Sequence, residues 1–167
     1  MNLFRAASFA TLLLATAVAP AVASEPVIGV SVPNLGSSFW ISGLYGVDPA
    51  AKADKAKLVT LSAGGDANSS QQISQIQDLI QRKVDAIIVG ATNGDAVKAI
   101  VERAVAAGIP VVGISSPPNT GKLAAGVSAD HYDMGKLQAA GLAKAIGGKG
   151  EVAIMAGPNG QAWSGRP

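Results

Sequence analysis

Residues 86–114 read AIIVGATNGDAVKAIVERAVAAGIPVVGI, and this stretch decides the fold. An apolar run, Ala86 to Val89, passes through a polar turn into Val97, Ile100, Val101, Ala104 and Val105 at helical spacing, and a second apolar run, Pro110 to Ile114, follows. Gly108 suits the position just past a helix C-terminus, and proline is tolerated at the first position of a strand. A run that is apolar at every position needs cover on both faces. A helical crossover of this length returns the chain parallel to where it began.

The same unit recurs towards the N-terminus. Val27 to Val32 and Lys57 to Ser62 are further strands. The helix between them starts near Phe39 and is expected to break at Asp48-Pro49, which reads as the cap and first-turn proline of a new segment, 48–54. The clearest helix carries Ile73, Ile76, Leu79 and Ile80 on one face, with Gln72, Gln75, Asp78 and Arg82 expected to face other ways. The expected architecture is a three-layer α/β/α, Rossmann-like parallel sheet. Such sheets bind ligands at the loops beyond the carboxyl ends of their strands.

The rhythm breaks after Ile114. Leu123 to Ser128 is a short strand with no room before it for a covering helix, and Ala129-Asp130-His131 leads out of the domain. Tyr132 to Ile146 is expected to be a helix offering Met134, Leu137, Gly141, Leu142 and Ala145 for packing, and Glu151 to Ala156 to restart a strand. The expected organisation is a signal segment, 1–23, an α/β lobe, 24–129, and the incomplete start of a second lobe, 130–167, because one strand and one helix cannot bury their own apolar faces.

Residues 1–23 carry Arg5, an apolar stretch from Phe9 to Val18, and the small-residue box Ala21-Val22-Ala23, which is the pattern of a secretory signal. The apolar part is shorter than the roughly 20 residues that a membrane-spanning helix needs. Without Arg5 the chain has twelve basic side chains against eleven acidic ones, scattered singly. That distribution disfavours nucleic acid. With no cysteine, disulfides and thiolate metal sites are excluded, so stability rests on core packing. No cofactor or metal motif is present: strand one lacks G-x-G-x-x-G, and 147–150 lacks the spacing of a phosphate loop.

Parallel strands would bring Asn34, Ser37, Ser38, Thr92, Asn93, Ser115 and Ser116 to one edge, an uncharged hydrogen-bonding set suited to a polyol or another small polar solute. The same residue types also serve turns for purely conformational reasons. Phe39 and Trp40 stand at the mouth of that edge, where aromatic rings stack on a sugar face or hold a quaternary-ammonium-like group. One of the two is expected to pack into the sheet instead. Trp163, in the last loop, is placed to close from the opposite side.

Together, Val27 to Asn34 with Phe39-Trp40, Gln72 to Ile80, Val84 to Val89 and Ala107 to Val112 resemble the type 1 periplasmic binding proteins, the ribose-binding and related sugar-binding group. Asp130 to Gly135 and Gly157 to Trp163 are similar to the branch that includes periplasmic trimethylamine N-oxide sensors. The resemblance implies two similar lobes that grip a ligand between them, with Ala129-Asp130 at the first crossing, and a membrane partner that is an ABC transporter or a sensor kinase. It implies a site of Asn34, Ser37, Phe39, Trp40, Asn93, Ser115, Ser116, Asp130 and Trp163. Phe39 and Trp40 would sandwich a sugar ring, or Trp40 and Trp163 would cage a methylamine. Sugar binders of the group usually carry Asp-Arg after strand four, where this chain has Ser115-Ser116. They commonly have asparagine where this chain has Gly90, which points to a smaller or less hydroxylated ligand.

The expected function is thus a periplasmic solute-binding protein without catalysis. The alternative is an exported α/β hydrolase using His131 and Asp130 with a loop serine, although no G-x-S-x-G elbow is present. A repressor effector domain is disfavoured, because a signal segment stands where a DNA-binding helix-turn-helix would be.

Overall fold

A computed structural model of the chain describes residues 24–155 and residue 157. The elements run β1 (Val27–Val32), α1 (Ser38–Ala53), β2 (Lys57–Ser62), α2 (Ser69–Gln81), β3 (Ala86–Val89), α3 (Lys98–Ala106), β4 (Val111–Ile114), β5 (Ala125–Val127) and α4 (His131–Ala145). The strands form one sheet in the order β2-β1-β3-β4-β5, parallel throughout. Ile28 lies opposite Leu58 on one side and Ala86 on the other. The chain first winds outward from β1 to β2, then crosses back to β3 and continues the other way. The loops after β1 and β3 therefore diverge, and a crevice opens between them at the carboxyl edge.

Two core clusters identify the faces. Ile76 and Leu79 of α2 and Val101 and Ala104 of α3 pack against Ile87, Val89 and Val111 on one side. Val30, Val32 and Trp40 form the other cluster, under α1. Helix α2 comes so close to β1 that a Cβ at Gly29 would meet Leu79 Cδ1 at 2.6 Å, and the leucine would have to shift to admit one. Gly108, at φ 83°, reverses the chain after α3 as its position predicts.

Three expectations are corrected. Helix α1 runs unbroken through Asp48 and Pro49. Proline removes one helical hydrogen bond, but Asp48, Pro49 and Ala50 are exposed to water, while Trp40 and Ala51 are buried and hold both halves of the helix on the sheet. Gln72 does not face away from the core: it is completely buried on α2. Glu151 to Met155 forms no strand, and Ile154 and Met155 are exposed, since no described sheet edge pairs with this segment. The start of a strand at Glu151 reflected its apolar content, and a strand needs a ladder as well as that content.

Strand β5 does join β4 without a covering helix. The connection is anchored to α3: Lys122 Nζ lies 2.9 Å from Glu102 Oε2, and the Thr120 hydroxyl donates to Glu102 Oε1 at 2.8 Å. These hydrogen bonds, that from Lys122 first, hold the Glu102 carboxyl below its ordinary pKa. Among the described residues no helix is long and apolar enough to cross a membrane.

Candidate ligand-binding edge

The loops beyond β1, β3 and β4 do meet at one edge, and most of the expected side chains there also shape the backbone. Asn34 Oδ1 accepts from the Gly36 N–H at 2.7 Å, closing a tight turn. Its side-chain NH2 has no partner among the described residues. Ser37 is the N-cap residue of α1, but its side chain makes no capping bond, contrary to the capping role that loop serines commonly play. Asn93 Oδ1 accepts from the N–H groups of Asp95 and Ala96, at 3.0 and 2.9 Å, and so sets the turn that leads to α3.

Ser115 has φ 58°, a left-handed conformation that a serine adopts only under constraint. The constraint comes from β5: Ser115 N–H donates to Val127 O, and the Ser128 hydroxyl donates to Ser115 O, each at 2.7 Å. Ser116 is buried, its carbonyl accepts from Ala91 N–H at 2.7 Å, and its hydroxyl has no partner among the described residues. The loop after β4 is thereby tied to the loop after β3.

The two aromatic residues part company, as expected. Trp40 is 8% exposed and packs in the core, whereas Phe39 is 61% exposed. Their rings touch edge to face, with centroids 5.3 Å apart at 86°. This corrects the expected sandwich: two rings already in contact leave no gap for a third between them. Phe39 presents the only open aromatic face of the pair, and any second wall comes from elsewhere. Trp163 lies outside the described residues.

Asp130 caps α4, accepting from Asp133 N–H at 3.0 Å. His131 Nε2 is buried with no partner among the described residues. The carboxylate expected to orient a catalytic histidine is thus engaged as a helix cap, and no described serine bonds the imidazole Nε2. An open cavity of about 590 Å³ lies farther out on the same edge, lined by Ser62, Ala63, Ala67, Asn68, Ser70 and Gln71. It includes none of the expected site residues.

What sequence reasoning missed is the polar girder beneath the edge. Gln72 Nε2 donates to Gly90 O at 2.7 Å and to Ser31 O at 3.4 Å, and its Oε1 accepts from Thr92 N–H at 2.8 Å. Gln75 Nε2 donates to Ser62 O at 2.7 Å, and Thr92 Oγ1 to Ser69 Oγ at 3.0 Å. Helix α2 thereby fastens the carboxyl ends of β1, β2 and β3 together. A signal was available: Gln72, Ile76 and Leu79 follow the i, i+4, i+7 spacing of one buried face.

A model of the family described as "Periplasmic binding protein domain" matches residues 28–164. The chain belongs to this family. Among the curated periplasmic binding proteins and their relatives, it is 36% identical over 133 residues to the ribose import binding protein of Bacillus subtilis, a match covering 80% of this chain and 43% of that protein. It is 38% identical over 133 residues to the xylitol-binding protein of Mycolicibacterium smegmatis, covering 80% and 37%. A solved solute-binding protein of an ABC transporter from Agrobacterium vitis, with bound D-fucose, superposes with a TM-score of 0.78 at 27% identity, covering 83% of this chain and 49% of that one. The chain spans about two-fifths of the length of these two curated relatives. Both are binding proteins by name.

Proposed function

We propose that this chain is the first jaw, 24–129, and the beginning of the second jaw, 130–167, of a periplasmic solute-binding protein that captures a small neutral polyol. Residues 1–23 serve as the export signal in this reading. The observation that carries it is the exposed Phe39 ring beside the β1/β3 crevice, amid the hydrogen-bonding side chains of the loops after β1, β3 and β4. An aromatic face offers the C–H side of a sugar ring a stacking surface, and the amide and hydroxyl groups of Asn34, Ser37, Asn93 and Ser115 address its hydroxyls. Asp130 stands where the chain leaves this jaw. The ligand-loaded, closed form would be read by a membrane partner, an ABC transporter or a sensor kinase.

A methylamine such as trimethylamine N-oxide is the less favoured ligand. An aromatic cage needs open ring faces around the cation, and Trp40 is enclosed by Val30 and Val32. Enzymatic turnover at His131 is disfavoured by the engagement of Asp130 as a cap. Isothermal titration of the complete two-jawed protein with pentoses, hexoses, inositols, xylitol and trimethylamine N-oxide tests the reading. Saturable binding of a polyol is expected. Silence across the polyols, or binding of the methylamine alone, overturns it.

A further inference from the structure

Ser128 directly precedes Ala129-Asp130, where the chain leaves the first jaw in the reading above, and it is exposed to water. Its hydroxyl nevertheless reaches over to Ser115 O at 2.7 Å, with Ala129 O a more distant acceptor at 3.2 Å. A hydroxyl donates one proton, so the shorter contact is the principal bond. Ser115 is the residue that needs it. The β4–β5 ladder runs as far as Ile114 opposite Val127, and Ser115 N–H adds one more rung to Val127 O at 2.7 Å. At φ 58° the chain then turns out of the strand, in a conformation that residues other than glycine adopt at a cost. The carbonyl at this turn takes the Ser128 hydroxyl in place of a further ladder N–H. One residue on, Ser116 O accepts from Ala91 N–H at 2.7 Å, so the same turn fixes where the loop after β4 meets the loop after β3.

We propose that Ser128 is a positioning residue: through the Ser115 carbonyl, the crossing to the second jaw sets the shape of the loops after β4 and β3. This rests on the two-jawed reading above and adds to it a route by which movement at the crossing reaches the binding edge. A second jaw that turns about 129–130 carries the Ser128 hydroxyl with it, and the strained turn at Ser115 is then held by Val127 O alone. Ser128 itself touches no ligand. It acts on the edge through two backbone carbonyls, those of Ser115 and Ser116.

Amide-resolved hydrogen exchange on the complete two-jawed protein tests this, with titration of D-ribose, D-fucose and xylitol as a second readout. Ser128→Ala is expected to speed exchange at Ala91 N–H about two- to tenfold, what one neutral hydrogen bond contributes. Exchange at Ala63 N–H, which is bonded to Val32 O at 3.0 Å on the β1–β2 side of the sheet, is expected to stay the same. Ser128→Thr keeps the hydroxyl and is expected to exchange like the wild type. Glycine takes a positive φ without strain, so Ser128→Ala is expected to have a smaller effect in a Ser115→Gly background. Polyol affinity is expected to fall in Ser128→Ala by about the same factor as exchange rises, at an unchanged melting temperature, because the side chain is exposed. Unchanged exchange at Ala91, or equal acceleration at Ala63, overturns the inference whatever the protein binds. An equal effect of Ser128→Ala in both backgrounds overturns the role of the strained turn. Faster exchange at Ala91 with unchanged affinity for a polyol that does bind overturns the positioning role. If no polyol binds the wild type, the polyol reading falls, while exchange at Ala91 still decides whether the crossing holds the loops.

Discussion

Helices α2 and α4 are of similar length, thirteen and fifteen residues, and both carry apolar side chains at helical spacing, yet their surroundings are opposite. Helix α2 buries Gln72, Ile76 and Leu79 against the sheet. Helix α4 buries no residue. What defines α4 is local: the Asp130 cap, the Lys136 ion pair with Asp133 at 3.3 Å, and the Lys136 ammonium 5.3 Å from the Tyr132 ring centroid. The cap and the cation–π contact are each worth about 1 kcal/mol or less, and the exposed ion pair less still. A helix of this length is marginal in water without tertiary packing. An amphipathic pattern therefore specifies that a helix needs a surface, while the sheet beside it determines whether the need is met. For α2 and α3, packed on the five-stranded sheet, it is met. After Ala129 the described residues supply no such surface.

The comparison breaks most severely if its dense side is hollowed. Leu79 is completely buried and fills the space that glycine at position 29 leaves open. Leu79→Ala is expected to cost about 2–5 kcal/mol, from lost transfer energy and the cavity left behind. Urea denaturation followed by circular dichroism measures it, and a cost below 1 kcal/mol would mean that α2 is not seated on β1 as described.

A smaller effect is expected from Gln72→Leu, which keeps the bulk of the side chain and removes its amide. The Thr92 N–H then loses its acceptor and the Gly90 carbonyl its side-chain donor, a loss of about 1–3 kcal/mol for buried groups left unpaired. The distinctive readout is local. Hydrogen exchange at Thr92 should accelerate more than exchange at Val101, which lies in α3 and does not touch the amide. Uniform acceleration would reduce Gln72 to a general packing residue.

These two side chains also mark how far the sequence could be read. The parallel sheet was legible, because doubly covered strands are apolar throughout and a helical crossover returns the chain parallel to where it began. The edge that gathers Asn34, Asn93, Ser115 and Ser116 followed from that topology. Gln72 was misread because residue type was weighed above helical position, although it occupies the same stripe as Leu79. Pro49 was misread because a local steric rule takes no account of the tertiary anchors at Trp40 and Ala51. The mutual geometry of Phe39 and Trp40 was out of reach: it depends on side-chain rotamers and on a glycine fifty residues away, which no local pattern encodes.

The smallest effect sharpens the comparison most. Leu137 is 74% exposed on α4, and Leu137→Ala in this chain is expected to change stability by less than about 0.5 kcal/mol, the usual range for surface positions. Alanine has the better helix propensity, so a slight gain is consistent with the same picture. In the complete two-jawed protein proposed above, α4 acquires a sheet, and the same substitution should cost about 2–5 kcal/mol, as at Leu79. Parallel denaturation of the two forms measures the difference. A large cost in both would show that α4 already packs on the five-stranded sheet of this chain. A negligible cost in both would remove the reason for assigning α4 to a second jaw.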